Sequence, residues 1–354
     1  MVINQWLPAA HQGDAVGDSA RRLREVLRER GHDSELYALT IDNNLRCEVR
    51  PFSHPAAGRG DVTILHFAIA SPMSAALASL PGARVIQYHN ITPAHFFASF
   101  DANIAEIVTR GRDELACLVD RVDLALGDSE YNRQELETLG FTENGVFPIA
   151  VNTSRLTRAP RQPALEQVLN DGFTNILFVG RLVPNKKLED HLMLAEHYKR
   201  YVDQFYRFIF VGREDVCPNY YRMLRALMAS YRMTSERFWF VGQVSDEDLA
   251  TYYRTASAYV SMSEHEGFCV PLLEAMATDV PVLAYSSTAV PETLGGAGLT
   301  FSPKDLEYVS ELLGLMVYDD DLRANIITGQ RRRLANFTDE RFATCVDQLV
   351  ARFS

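Results

Sequence analysis

Nowhere in the 354-residue sequence are there about 18 consecutive apolar residues, so no ordinary membrane-spanning helix is expected. The opening MVINQWLPAA lacks the basic segment and apolar run of a secretory leader, and the chain reads as cytoplasmic. Cysteine is sparse: Cys47, Cys117, Cys217, Cys269 and Cys345 are odd in number, widely scattered and form no CxxC. That pattern excludes a disulfide framework and a zinc ribbon and fits a reducing compartment. Basic charge is also short, with 35 Lys and Arg against 46 Asp and Glu and a net charge of −11. A nucleic-acid partner needs a basic face, and the only basic triplet, Arg331-Arg332-Arg333, reads as a solvated helix face. The acidic balance weakens docking on anionic lipid but leaves room for a local basic patch and peripheral membrane contact. No GxxxxGK[ST], GxSxG or HExxH occurs. The acidic clusters Asp246-Glu247-Asp248, behind Ser245, and Asp319-Asp320-Asp321 read as a helix start and a polar segment, so neither a metal nor a cofactor is expected.

What is present is an ordinary folding composition, 47% hydrophobic and 23% charged, in a chain long enough for two cores. Short apolar runs alternate with helical-period segments throughout, which indicates α/β architecture with buried parallel strands. In the first half these runs are Val62–Phe67, Ala83–Asn90 and Leu124–Ser129. In the second, Phe-Val-Gly recurs at 178–180, 210–212 and 240–242, and further runs cover Ser257–Ser263 and Val280–Ser286. Glycine at a strand end permits a sharp turn and close approach to a ligand, at the edge where open parallel sheets bind their ligands. The polar, proline-containing segment Val151–Gln167 reads as a linker, and Asp339–Ser354 as an amphipathic terminal helix. The expected organisation is a first domain over 1–160, a second over 161–335 and a terminal segment over 336–354.

Chemistry concentrates in EHEGFCVPLLEAMA, residues 264–277. Pro271 suits the first turn of a helix, and LLEAMA favours helix strongly. The helix is therefore expected to begin near Val270–Pro271. The N–H groups of Gly267, Phe268 and Cys269, with the helix dipole, then form an anion site. Glu266 precedes that site and Glu274 projects from the helix one turn inside it. Two carboxylates beside an anion would repel it unless they face hydroxyls, and sugar or ribose hydroxyls are natural donors. Cations for the anion come from Val179-Gly-Arg181-Leu-Val-Pro-Asn-Lys186-Lys187. Arg181 supplies a fork for phosphate oxygens and Lys186 a point charge.

The combination of GRLVPNKK with SEHEGFCVPLLEAMATDVPVLA about eighty residues later resembles the donor domain of the family 4 retaining nucleotide-sugar glycosyltransferases of GT-B fold. SEYNRQEL (129–136), RERGHDSEL and FVGQVSDEDL extend the resemblance over nearly the whole chain. It implies two Rossmann-like domains facing across a cleft, with the C-terminal helix crossing back to the first. It implies transfer of a sugar from a nucleoside-diphosphate sugar to a hydroxyl of a sugar or lipid-linked sugar, with retention and without a metal. By the same resemblance, Arg181 and Lys186 bind the donor diphosphate and Glu274 the ribose. Glu266, with Gly267, Phe268, Cys269 and Val270, holds the donor sugar, and Gln243 and Val244 line the base pocket. Members often carry glycine where this chain has Cys269. His89 matches a cleft histidine near the reacting sugar, with His66 on the preceding strand. Gly13 and Asp14 match a loop near the diphosphate and acceptor, and His95, Phe96 and Phe97 form a candidate acceptor wall. A GT-B sugar-nucleotide epimerase and an inactive sugar-nucleotide-binding partner stand as alternatives.

Overall fold

The computed structural model describes every residue from Met1 to Ser354 and resolves two compact units. The first comprises Met1–Ala98, Ala102–Val151 and Phe337–Ser354; the second comprises Ser99–Asp101 and Asn152–Asn336.

In the first unit, β1 (Ile3–Ala10), β2 (Leu36–Ile41), β3 (Arg50–Pro51), β4 (Val62–Phe67), β5 (Ala83–Tyr88), β6 (Leu124–Gly127) and β7 (Asn144–Val146) form one sheet. Its order is β3-β2-β1-β4-β5-β6-β7, and every pair is parallel. All six residues of β4 are buried, as a central strand covered on both faces requires. The terminal helix Asp339–Ala351 turns Phe342, Val346 and Leu349 into the cluster of Leu23, Val26, Leu27 and Phe147. Burying three such side chains stabilises by about 1.5–3 kcal/mol each, which is what holds this helix to the first unit.

In the second unit, β8 (Thr174–Val179), β9 (Tyr206–Val211), β10 (Phe238–Gly242), β11 (Ala258–Ser261), β12 (Val282–Tyr285) and β13 (Leu299–Phe301) form a second parallel sheet, ordered β10-β9-β8-β11-β12-β13. Each sheet therefore reverses direction at one point, between β1 and β4 and between β8 and β11. Loops at the carboxyl ends of those strands are where such sheets bind ligands.

The three Phe-Val-Gly ends lie side by side on β8, β9 and β10. Gly212 sits at φ +144°, and a Cβ there would stand 2.0 Å from the Gly180 carbonyl oxygen. That glycine permits backbone to approach backbone, not ligand. The segment expected as a linker is instead two short helices, Ser154–Thr157 and Pro163–Leu169. Arg254 clasps the first of them by donating to the carbonyls of Leu156 and Ala159, so the unit boundary falls at 151/152, earlier than the expected 160/161. The arginine triplet also departs from a simply solvated face. Arg331 forks onto Asp279, and Arg333 donates to the carbonyls of Thr293 and Glu292 in the last turn of the helix Val290–Leu294. No helix is long and apolar enough to cross a membrane.

Candidate active site

At the reversal point of the second sheet, β8 runs out through Gly180 and Arg181 into a tight turn, Pro184–Lys186, closed by Lys187 in the left-handed region at φ 51°. Asn185, buried in that turn, donates to the His265 carbonyl at 2.9 Å, and its own carbonyl accepts from Glu264 N at 2.9 Å. The loops leaving β8 and β11 are thereby fastened together. Lys186 then meets Glu266, with Nζ 2.6 Å from Oε1. Glu266 is buried, and its backbone is gripped by Thr288, whose hydroxyl accepts from Glu266 N at 2.8 Å and donates to Glu266 O at 2.9 Å. Arg181 is exposed and forms no ion pair, leaving its guanidinium open to an anion.

The helix beyond the loop spans Val270–Ala277, as its proline and LLEAMA predict. Its capping residue is Cys269, at φ 71° and ψ 65°. This left-handed conformation costs a side chain about 1–2 kcal/mol and explains glycine as the common residue there. The thiol is buried, and burial with the nearby Glu266 carboxylate pushes it well above the usual thiol range. It is a packed, protonated group and no nucleophile. Phe268 is buried too, its carbonyl accepting from Thr293. Glu274 is 4% exposed. Its Oε2 accepts from the Tyr253 hydroxyl at 2.9 Å and its Oε1 pairs with Arg155. Burial, then the Glu274 charge, drives the Tyr253 phenol well above its ordinary range, so it stays a donor. The two acids thus each hold a cation, Lys186 for Glu266 and Arg155 for Glu274. Arg155 was invisible to sequence reasoning because it lies in a polar segment with no motif around it. Gln243 is exposed and Val244 half-buried after β10, just before the Ser245 cap that accepts from Asp248 N at 3.2 Å.

In the first unit, Gly13 has φ 75° and is exposed, while Asp14 caps the helix Ala15–Glu29 by accepting from Gly17 N at 3.2 Å. The carboxylate of Asp14 is thus engaged locally. His95 is exposed and stacks obliquely on Phe96 at 4.3 Å, whereas Phe97 is buried in the core. The histidines form a buried chain. Gln5 Nε2 donates to the Ala20 carbonyl, which turns its Oε1 to His66 Nε2 at 2.8 Å. His66 Nδ1 lies 2.9 Å from His89 Nε2, and His89 Nδ1 lies 2.7 Å from Asp128 Oδ2. Gln87 donates to the other Asp128 oxygen at 2.9 Å.

Burial, then the neighbouring His89, holds the His66 imidazole well below the ordinary histidine range. The His89 side chain is 2% exposed and both ring nitrogens are engaged. In this arrangement the ring has no free atom for a reacting sugar; only the strand-end backbone beside it is accessible, with Asn90 at φ 71°.

The family model of Glycosyl transferases group 1 matches residues 165–333, the segment that carries both acids, Arg181 and Lys186. Escherichia coli O-antigen chain mannosyltransferase B is 27% identical over 245 residues, 66% of this chain and 60% of that protein. The MMP alpha-(1->4)-mannosyltransferase of Mycolicibacterium hassiacum is 33% identical over 99 residues, 27% of this chain and 24% of that protein. The match thus spans about three-fifths of the E. coli relative's length. Among solved structures, Thermosynechococcus elongatus sucrose-phosphate synthase superposes with a TM-score of 0.77 over 99% of both chains at 17% identity. Anabaena HepE in complex with UDP-glucose gives 0.78 over 99% of this chain and 100% of its own, at 14% identity. At those identities the likeness establishes the fold, which is GT-B.

Proposed function

We propose that this chain, which carries a group 1 glycosyl transferase domain over residues 165–333 on a GT-B fold, moves a sugar from a nucleoside-diphosphate sugar to a hydroxyl acceptor, with retention and without a metal. The observation that carries this is the arrangement at the β8/β11 reversal point. An unpaired Arg181, a Lys186 lent to a carboxylate and a helix N-terminus stand within one pair of fastened loops. An incoming diphosphate takes Arg181 and draws Lys186 away from Glu266. Glu266 is then free to accept from sugar hydroxyls, and Glu274 accepts from the ribose. As the anomeric C–O bond breaks, the charge growing on the departing phosphate meets Arg181, Lys186 and the N–H groups preceding Val270, which is electrostatic stabilisation where charge develops.

No side chain near this point is a free nucleophile. Cys269 is protonated, Glu274 is held by Arg155, and Glu266, once Lys186 leaves it, is taken up by the sugar's hydroxyls. We therefore assign front-face transfer. The acceptor oxygen bonds to the anomeric carbon on the face the diphosphate leaves, and its proton passes to the departing phosphate oxygen. Relatives named as mannosyltransferases make mannose the first donor sugar to test, in polysaccharide or glycoconjugate assembly. The test is incubation with nucleoside-diphosphate mannoses and glucoses, with and without glycan acceptors and with a chelator, read by NMR at the anomeric centre. Acceptor-dependent product of unchanged anomeric configuration, insensitive to chelation, is expected. An isomerised donor formed without acceptor, or activity abolished by chelator and restored by manganese, overturns the reading.

A further inference from the structure

Glu274 is nearly enclosed, and an ionised carboxylate so placed is costly unless its oxygens are met. Two groups meet them: Arg155 Nη2 on Oε1 and the Tyr253 hydroxyl on Oε2. Arg155 is itself anchored at its second arm, with Nη1 on Asp246, the first residue of the helix Asp246–Thr255 that follows Gln243 and Val244. The short helix bearing Arg155, Ser154–Thr157, is tied down by Arg254 through the Leu156 carbonyl at 3.0 Å. A planar guanidinium held at both ends of its fork has little freedom, and the carboxylate it grips inherits that restriction.

We infer that Arg155 is a positioning residue for ribose recognition: with Tyr253 it occupies one acceptor direction on each Glu274 oxygen and leaves one on each for the two adjacent hydroxyls of a ribose. Each carboxylate oxygen has two lone-pair directions, so two remain after Arg155 and Tyr253 are served. Two neighbouring O–H donors on one ring are the complement of that pair. A 2′-deoxy sugar offers only one of them and leaves a buried acceptor unmatched, which is the source of discrimination. The inference rests on the assignment of Glu274 to the ribose and adds the group that aims it. Arg155 does not touch the nucleotide in this account. Its contribution appears only through Glu274.

The experiment measures, by calorimetry, binding of UDP, GDP and their 2′-deoxy counterparts to wild type, Arg155→Ala, Arg155→Lys, Tyr253→Phe and Glu274→Ala, with melting temperatures taken alongside. Wild type is expected to prefer the ribonucleotide about tenfold. Glu274→Ala should bring that ratio close to one. Arg155→Ala should bring it below about threefold, and Arg155→Lys, which keeps the charge without the fork, should fall between. Loss of affinity for ribo and deoxy forms in equal measure in Arg155→Ala would mean the guanidinium serves the phosphates, and would overturn the inference. An unchanged ratio in Arg155→Ala overturns it as well while the Glu274 result stands. If Glu274→Ala itself keeps the wild-type ratio, the ribose assignment fails and the role of Arg155 with it.

Discussion

Consider Glu266→Ala. In the free chain Lys186 Nζ sits 2.6 Å from the Glu266 carboxylate, with both groups largely buried. At an effective dielectric constant near 20 that contact is worth about 6 kcal/mol of gross Coulomb attraction. Desolvation of the two ions cancels most of it. A nucleoside diphosphate that recruits Lys186 must overcome what is left. Removing Glu266 frees the lysine, so affinity for the free nucleoside diphosphate should rise by about 1 kcal/mol, roughly fivefold. Turnover on the intact sugar donor should fall by a hundredfold or more, because the acceptor of the sugar's hydroxyls is gone. Folding stability should drop by about 1–2 kcal/mol, since Lys186 loses its partner yet can swing toward solvent. Calorimetry with UDP and GDP, initial rates on the intact donor and urea unfolding supply the three readings. A fall in nucleoside-diphosphate affinity comparable with that of Glu274→Ala would refute the reasoning, because it would mean Glu266 contacts the nucleotide and does not compete for the lysine.

Further outcomes follow from other contacts. Arg181→Ala should lower turnover by more than it weakens nucleoside-diphosphate binding, as charge that grows in the transition state requires; equal losses in kcat/KM and affinity would contradict that role. Gly212→Ala places a Cβ 2.0 Å from the Gly180 oxygen at a φ that side chains avoid, and should destabilise by more than about 3 kcal/mol in urea unfolding. His191 is buried and burial lowers its pKa to about 4. Its folded-state value lies below its unfolded one, so the stability it contributes is full above about pH 6.5 and falls by about 1.4 kcal/mol per pH unit on acidification toward pH 4. His191→Gln, whose amide does not titrate, should flatten the pH dependence of unfolding in that window.

The alternation of apolar runs with helical segments was legible along the chain, because a strand covered on both faces buries nearly every position and is mostly apolar. So were the start of the Val270–Ala277 helix at its proline and the capping of Asp246–Thr255 by Ser245. These are local effects, written within a few residues. Glu266, Glu274, Arg181 and Lys186 could be singled out as candidates from their local pattern and the resemblance it carries, since loops after parallel strands meet at one edge of a sheet. Their partners could not. The pairing of Glu274 with Arg155 joins positions 119 apart, and that of Lys186 with Glu266 joins positions 80 apart. The engagement of both His89 nitrogens depends on β5 lying between β4 and β6, which brings His66 and Asp128 to its two sides. Local composition determines which residues turn inward and where helices begin. Which charge faces which is decided by strand order and loop closure, because a side chain reaches only a few ångströms and the chain must first be folded back to put the partner there.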